Sequence, residues 1–189
     1  MITICFTGHR PDKLPGKYNY DSIAHQKLRG VLRNKIVDVI NDTIDNQNER
    51  DFKFICGGAL GIDQVTFSIC EELKQEAREY DACTIQLELA IPFENQASKW
   101  YPRDVSSYEI QKQQADIVTF VDTIEEYEFR GVPVGDYHPA KMQIRNKYMV
   151  NNSNVIIAVW NGSKGGTANC VNYAKKQGKE IVVVSPDEI

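Results

Sequence analysis

Three short segments of this sequence have the residue types that hold phosphate, and each lies in a loop that follows an apolar run; the third of these loops is Asn161 to Thr167. The segments are Thr7-Gly8-His9-Arg10, then Gly57-Gly58-Ala59-Leu60-Gly61-Ile62-Asp63, and finally Lys164-Gly165-Gly166-Thr167. Glycine allows a turn to adopt positive φ and to bring its backbone N–H groups against an anion. A helix that begins at such a turn points the positive end of its dipole at the same place. The three segments therefore predict a phosphate-binding site.

Side chains within these segments add to that chemistry. Arg10 is suited to bidentate phosphate binding, and Thr7 and His9 supply a hydroxyl group and an imidazole. Asp63 has two interpretations, because a carboxylate can accept hydrogen bonds from ribose hydroxyls or can simply complement the positive end of a helix. Lys164 precedes a glycine pair that matches neither a Walker A motif nor GxGxxG spacing. The pattern therefore predicts phosphate binding without a resident cofactor or metal.

The order of secondary structure elements indicates how these segments are positioned. Apolar runs predict strands, and segments with four-residue apolar spacing or capping residues predict helices, in strict alternation. Such alternation predicts an α/β fold that is Rossmann-like and doubly wound, with a mainly parallel sheet and helices on both faces. We expect one domain over residues 1–189. The predicted strands are residues 2–6, 52–56, 84–91, 116–121, 155–160 and 181–184, and the predicted helices run from about 22 to 44, 62 to 80, 104 to 114, 139 to 150 and 168 to 177.

The three phosphate-type segments all follow strands, and this shared position is informative. Ligands of doubly wound sheets bind beyond the carboxyl ends of the strands, where the strand order reverses. Three segments that follow parallel strands open on one edge of the sheet. We therefore expect them to form a single pocket.

Composition limits the location and the partners. The 189 residues are 42% hydrophobic and contain neither a run long enough to cross a bilayer nor a basic leader, so we expect a cytoplasmic protein without a membrane partner. Five cysteines without a CxxC pair argue against a disulfide framework and against a zinc site. The net charge of −4 argues against nucleic acid as a partner, because a phosphodiester backbone is neutralised by a basic surface.

Two of the motifs resemble those of known families. The segment from Gly57 to Asp63 resembles the glycine signature of Smf/DprA proteins. The order Arg145-Asn146-Lys147-x-Met149, an apolar strand and then Gly165-Gly166-Thr167 resembles that of LOG ("lonely guy") proteins. With Thr7-Gly8-His9-Arg10-Pro11 at the front, the whole chain resembles the SLOG superfamily, and most closely its YpsA-like branch.

This resemblance implies a Rossmann-like domain that binds nucleotides or nucleotide-derived ligands and that often assembles into homo-oligomers through helices. It implies that Gly57, Gly58 and Gly61 line the site together with the second glycine turn. Arg145 matches the arginine that LOG phosphoribohydrolases use with a glutamate to cleave a base from ribose 5′-phosphate. The matching glutamate position is Cys170 here. Hydrolysis therefore needs another acid, such as Asp63 or Glu94, to reach the ligand.

Three hypotheses follow, in decreasing order of support from the sequence. The first is binding of a nucleotide-derived small molecule, of the ADP-ribose, NAD or nucleoside phosphate type, by a sensor or sequestering protein. The second is an N-glycosidic hydrolase in which Arg145 is catalytic. The third is single-stranded DNA binding, as in DprA, against which the acidic balance argues.

Overall fold

Strands and helices alternate along the chain as the sequence predicts. The computed structural model describes residues 1–188. The strands are β1 (Ile2–Gly8), β2 (Asp51–Cys56), β3 (Thr84–Ile91), β4 (Ile117–Phe120), β5 (Val155–Val159) and β6 (Glu180–Val184). The helices are α1 (Ile23–Gln47), α2 (Ile62–Glu79), α3 (Pro102–Gln114), α4 (Pro139–Asn151) and α5 (Gly166–Lys176). None of the described helices is both long enough and apolar enough to cross a membrane.

All six strands belong to one parallel sheet with the order β4-β3-β2-β1-β5-β6. The chain builds outward from β1 to β4, then returns to place β5 on the other side of β1. The strand order therefore reverses between β1 and β5, which is the usual ligand position in such sheets. The predicted Rossmann-like, doubly wound fold is confirmed.

The two faces of the sheet carry different helices. Residues that alternate along each strand divide between two apolar clusters, because successive side chains of a strand point to opposite faces. Phe54 and its neighbours pack with α1, α2 and α3, whereas Ile55 and its neighbours pack with α4 and α5. The helices that follow β1, β2 and β3 thus share one face, and α4 and α5 share the other.

Helix α1 follows its sequence signals closely. The Ser22 side chain accepts a hydrogen bond from the backbone N–H of His25 at 3.1 Å, and Asn48 ends the helix with φ of 51°. Leu28, Leu32 and Ile36, spaced by four residues, are fully buried. Helix α1 therefore has an N-cap at Ser22 and a buried face with four-residue apolar spacing.

Two element boundaries next to the predicted pocket differ from expectation. Strand β1 extends through Thr7 and Gly8, because these residues pair with Ala158 and Val159 of β5. Helix α5 begins at Gly166 rather than at residue 168. Two residues assigned to the first loop therefore lie on a strand, and the second glycine turn is already the first turn of a helix.

The segment between β4 and α4 is anchored to α4 by a buried ion pair. Lys141 Nζ lies 2.8 Å from Asp122 Oδ2, and both side chains are about 2% exposed. Asp122 Oδ2 also accepts the N–H of Gly135 at 2.8 Å, and Lys141 Nζ donates to the carbonyl of Pro133 at 2.7 Å. The positive charge of Lys141 is therefore neutralised inside the protein.

Candidate functional site

A pocket of about 240 Å³ lies at the carboxyl ends of β1 and β5, where the strand order reverses. Four parts of the chain form its walls: the end of β1 with the turn that follows, the start of α2, one side of α4, and the turn into α5. The lining residues are Thr7, Gly8, His9, Arg10, Asp12, Lys13, Ala59, Leu60, Asp63, Met142, Gln143, Arg145, Asn146, Ser163, Lys164, Gly165, Gly166 and Thr167.

The structure brings most of the residues predicted from the sequence to this pocket. Thr7 to Arg10, Asp63, Arg145 and Lys164 to Thr167 line it. Gly57, Gly58 and Gly61 do not line it, although the turn that they form stands directly behind Asp63 and Arg145. That the lining residues bind a ligand stays a prediction.

Gly57 makes room for Arg145. A Cβ atom at Gly57 would lie 1.4 Å from Arg145 Nη1 and 2.5 Å from Asp63 Oδ2. No other residue type leaves this space, because every other residue has a Cβ atom. The glycine therefore lets the guanidinium group of α4 reach the end of β2.

Two N–H groups of the first glycine turn already have partners within the protein. Ile62, the first residue of α2, donates its N–H to the carbonyl oxygen of His9 at 3.3 Å, and Ala59 donates to Asp63 Oδ2 at 3.3 Å. Gly61 has φ of 97°, and a Cβ atom there would lie 2.5 Å from the same His9 carbonyl. This turn therefore joins α2 to the loop after β1, and its geometry fixes Asp63 in the wall.

The second glycine turn has free donors. Within residues 1–188, no acceptor lies within hydrogen-bond distance of the backbone N–H groups of Gly166, Thr167 and Ala168, which open α5. Gly165 and Gly166 are exposed to the pocket. The turn before them is held in place, because Trp160 Nε1 donates to the Ser163 carbonyl at 2.8 Å. An anion placed here meets unpartnered donors at the positive end of a helix.

His9 links the two loops that meet at the pocket. Its side chain is 5% exposed, and its Nε2 atom lies 2.9 Å from Asn161 Oδ1 and 3.3 Å from the Asn161 backbone nitrogen. Asn161 follows β5 and leads into the second glycine turn. His9 therefore fixes the loop after β1 against the loop after β5, and its Nε2 atom is engaged in that contact.

The charged residues of the pocket give it an excess of positive charge. Arg10, Lys13, Arg145 and Lys164 are balanced only by Asp12 and Asp63. Desolvation lowers the pKa of Arg10, nearby Asp63 opposes this shift, and Arg145 adds to it. Arginine nevertheless keeps its charge at neutral pH. Arg10 is therefore a charged, solvent-exposed side chain of the pocket that an anion can approach.

Arg145 and Asp63 form the other charged contact of the site. Arg145 Nη1 donates to Asp63 Oδ2 at 3.0 Å, and the side chains are 6% and 9% exposed. Arg145 Nε is buried and has no hydrogen-bond partner among the described residues. The pair therefore forms part of the pocket wall, and Arg145 Nε remains an unused hydrogen-bond donor among the described residues.

The hydrolase hypothesis depends on an acidic side chain beside the ligand, and Cys170 does not supply one. Its side chain is 3% exposed and lies outside the pocket lining. Burial raises the pKa of Cys170 to about 11, although a hydrogen bond with Thr7 opposes this shift. Of the other two acids considered, Asp63 lines the pocket and is paired with Arg145, whereas Glu94 does not line the pocket.

Cys170 is expected to resist alkylation in the folded protein. A thiol with a pKa of about 11 has on the order of one part in a thousand as thiolate at pH 8, and the thiolate is the reactive form. Brief treatment with iodoacetamide followed by peptide mass spectrometry measures this, with half-buried Cys83 as the internal comparison. Modification of Cys170 ahead of Cys83 would contradict the described burial.

Several lining residues were not predicted from the sequence. Five of them are close in sequence to residues that were predicted: Asp12, Lys13 and Ser163 lie within three residues of predicted positions, and Ala59 and Leu60 are inside the first glycine turn. Their proximity in sequence to predicted residues could therefore have identified them. Met142, Gln143 and Asn146 lie on α4 beside Arg145. Their spacing of three and four residues matches one side of a helix, but the sequence does not show that this side faces the loops.

Comparison with known proteins agrees with the geometry. A family model described as the YspA SLOG family, named YpsA, matches residues 4–189. The chain belongs to the YpsA SLOG family. The SPbeta prophage-derived protein YoqJ of Bacillus subtilis is 37% identical over 158 residues, covering 82% of this chain and 88% of YoqJ. A UPF0398 protein of Bacillus cereus is 24% identical over 180 residues, covering 95% and 85%. The predicted SLOG membership and YpsA-like branch are confirmed.

A solved structure also shares the fold. DNA processing protein A from Helicobacter pylori, described for its single-stranded DNA binding mode, aligns with a TM-score of 0.52 and 18% identity. The match covers 96% of this chain but only 64% of that protein, so this chain spans less than two thirds of it.

The expectation that argued against nucleic acid as a partner is wrong. A protein with this fold is described as binding single-stranded DNA, so the acidic composition of the chain does not exclude such a partner. The physical reason is that net charge is a sum over the whole surface. It does not show whether the positive side chains are collected on one part of that surface.

Proposed function

We propose that this SLOG protein binds a phosphate-bearing, nucleotide-derived ligand in the pocket between β1 and β5. One observation carries the proposal: Gly166 and Thr167, whose N–H groups at the start of α5 are unpartnered among residues 1–188, line the same pocket as Arg10 and Lys164. Oriented backbone donors at a helix N-terminus with neighbouring cations are what a phosphate group requires. The placement at the reversal of strand order agrees with this function.

The proposed ligand lies with its phosphate on the N–H groups of Gly166 and Thr167. Arg10 reaches it from the loop after β1, and Lys164 from the turn itself. A ribose beside the phosphate faces Asp63, whose carboxylate oxygens accept hydrogen bonds from hydroxyl groups. This arrangement fits ADP-ribose, NAD or a nucleoside monophosphate, and it suits a sensor or sequestering protein.

Titration calorimetry with AMP, ADP-ribose and NAD tests the proposal. Because each charge-assisted hydrogen bond contributes about 1.5–3 kcal/mol, Arg10→Ala and Lys164→Ala should each weaken binding by about tenfold or more. Lys27→Ala, an exposed lysine of α1 that does not line the pocket, is the matched control and should bind like the wild-type protein. Absence of binding heat with all three compounds, in folded protein, would reject the proposal.

The same samples separate binding from hydrolysis. Cleavage of an N-glycosidic bond requires a group that stabilises the oxocarbenium-like state or activates water. The pocket has two carboxylates: Asp63, which is paired with Arg145, and Asp12, which is exposed to solvent. We expect AMP to be recovered intact by chromatography after long incubation. Release of free adenine that is lost in Arg145→Ala would instead support the hydrolase.

Single-stranded DNA is the second candidate ligand. The observation that favours it is the fold shared with Helicobacter pylori DNA processing protein A. A phosphodiester presents the same anionic oxygens as a nucleotide phosphate, so the N–H groups of α5 could hold one phosphate of a chain. In that case the rest of the chain needs a surface that leads away from the pocket.

A further inference from the structure

Positive charge is concentrated in one stretch of the sequence. Residues 137–179 contain no Asp or Glu but seven basic residues, namely Lys141, Arg145, Lys147, Lys164, Lys175, Lys176 and Lys179. The whole chain has 22 Lys and Arg against 26 Asp and Glu, so the other residues hold 15 against 26. The net charge of −4 therefore conceals a strongly basic segment within an acidic protein.

The fold places this basic segment on one side of the molecule. Residues 137–179 form α4, β5 and α5, and these two helices cover the face of the sheet opposite α1, α2 and α3. Lys141 and Arg145 are neutralised by buried partners. The exposed cations that remain include Lys147, Lys175 and Lys176 on the two helices, and Lys164 beside the pocket.

A groove of about 350 Å³ runs between α4 and α5. No acidic side chain of the described residues lines it. Gln143 and Asn146 belong to the walls of both this groove and the phosphate pocket, so the two are contiguous. The lining residues are Gln143, Asn146, Lys147, Asn169, Cys170, Asn172, Tyr173 and Lys176.

We propose that the α4–α5 groove binds single-stranded nucleic acid whose backbone continues from a phosphate held in the pocket. This rests on the phosphate site of the proposed function and names a longer partner for it. Lys147 and Lys176 neutralise backbone phosphates on the two sides of the groove. The amide groups of Asn146, Asn169 and Asn172 match the donors and acceptors of unpaired base edges.

Tyr173 adds an aromatic surface to the groove. Its hydroxyl group donates to Asn151 Oδ1 at 2.8 Å, and Lys147 Nζ lies 5.7 Å from its ring centre. A ring fixed in this way stacks one base once the Lys147 ammonium group, which lies over it, turns to a backbone phosphate; proteins that bind single strands with little sequence preference use aromatic rings in this way. A duplex offers no unpaired base to such a groove.

The charge of the α4–α5 face argues against a second copy of the chain as the occupant of the groove. Two α4–α5 faces placed against each other would bring lysines of the same sign together without an intervening carboxylate among the lining residues. Like charges at an interface are destabilising. The surface therefore complements an anionic polymer better than it complements itself.

Fluorescence anisotropy with a labelled oligothymidine of about 12 nucleotides tests the proposal, since single-strand sites span about 4–16 nucleotides. The variant is Lys147→Glu with Lys176→Glu, which reverses the charge on both sides of the groove. The matched control is Lys27→Glu with Lys35→Glu on α1, which changes the net charge equally on the opposite face. Calorimetry with AMP on every protein reports separately on the pocket, and light scattering reports the mass of each.

We expect the groove variant to bind the oligonucleotide at least about tenfold more weakly at low salt. The slope of the logarithm of the binding constant against the logarithm of the salt concentration should be smaller in magnitude by about 1.4, because each of the two lost phosphate contacts contributes about 0.7. The α1 variant should retain binding, and AMP binding should be equal in all proteins. Equal losses in both variants, tighter binding of duplex than of single strand, or a change of mass confined to the groove variant would overturn the proposal. If the protein binds AMP but no oligonucleotide, the groove proposal is wrong and the proposed function stands. If it binds neither AMP nor the oligonucleotide, both the groove proposal and the proposed function are wrong.

Discussion

Replacing Asp63 with alanine is expected to lower the free energy of unfolding by about 3–5 kcal/mol, the usual cost of removing one partner of a buried ion pair. Asp63 and Arg145 are 3.0 Å apart and nearly fully buried. Without Asp63 the guanidinium group would be left without its described hydrogen-bond acceptor, in addition to the Nε atom that already lacks one. Urea denaturation of the wild-type and variant proteins measures the difference.

Asp12→Ala is the control for this experiment. Asp12 lines the same pocket but is exposed, so its removal should change stability by less than about 0.5 kcal/mol. Adding Arg145→Ala to Asp63→Ala should recover part of the loss, because no unpaired charge then stays buried. A loss below about 1 kcal/mol for Asp63→Ala would mean that the pair is not buried as described.

Much of the fold could be predicted because its signals are local. Each strand is a short apolar run between polar or glycine-rich segments, and α1 shows both its N-cap at Ser22 and its four-residue apolar spacing. Strand order is different, since it depends on which strands pair. The sequence indicates only that loops after parallel strands share an edge, not that β5 lies beside β1.

The site was predictable to the extent that it follows strand ends. Arg10 and Lys164 follow β1 and β5, which are neighbours, so both reach the pocket. Which N–H groups of the two glycine turns are used within the protein was not predictable. The N–H of Ile62 is used by the carbonyl of His9, more than 50 residues earlier in the chain, and nothing local to the first turn indicates that contact.

One feature of the sequence could have corrected the mistaken argument against nucleic acid as a partner. The absence of acidic residues from 137 to 179 is visible without a structure. Net charge predicts solubility and general repulsion, whereas binding of a polyanion depends on local charge. Only the fold shows that α4 and α5 place these lysines beside a phosphate-type pocket.

Gly57→Ala is expected to destabilise the protein by about 3 kcal/mol, at the upper end of the cost of overpacking. The backbone of Gly57 is outside the positive-φ region, so alanine meets no backbone strain there. The cost comes instead from the side chain of Arg145, whose Nη1 atom would lie 1.4 Å from the new Cβ atom. Gly30→Ala is the matched control, because that glycine lies within α1 with no atom near its Cβ position. It should stabilise the protein by about 0.5–1 kcal/mol.

A double-mutant cycle shows whether Arg145 and Asp63 are the obstacle. In a background that carries Asp63→Ala and Arg145→Ala, the space beside Gly57 is empty, so Gly57→Ala should cost less than about 1 kcal/mol. The expected coupling is about 2 kcal/mol, within the range for residues in direct contact. Urea denaturation of the four proteins measures it. Equal costs of Gly57→Ala in both backgrounds would show that this glycine serves another purpose. A large coupling would instead show that position 57 is a glycine because the guanidinium group of Arg145 fills the space beside it.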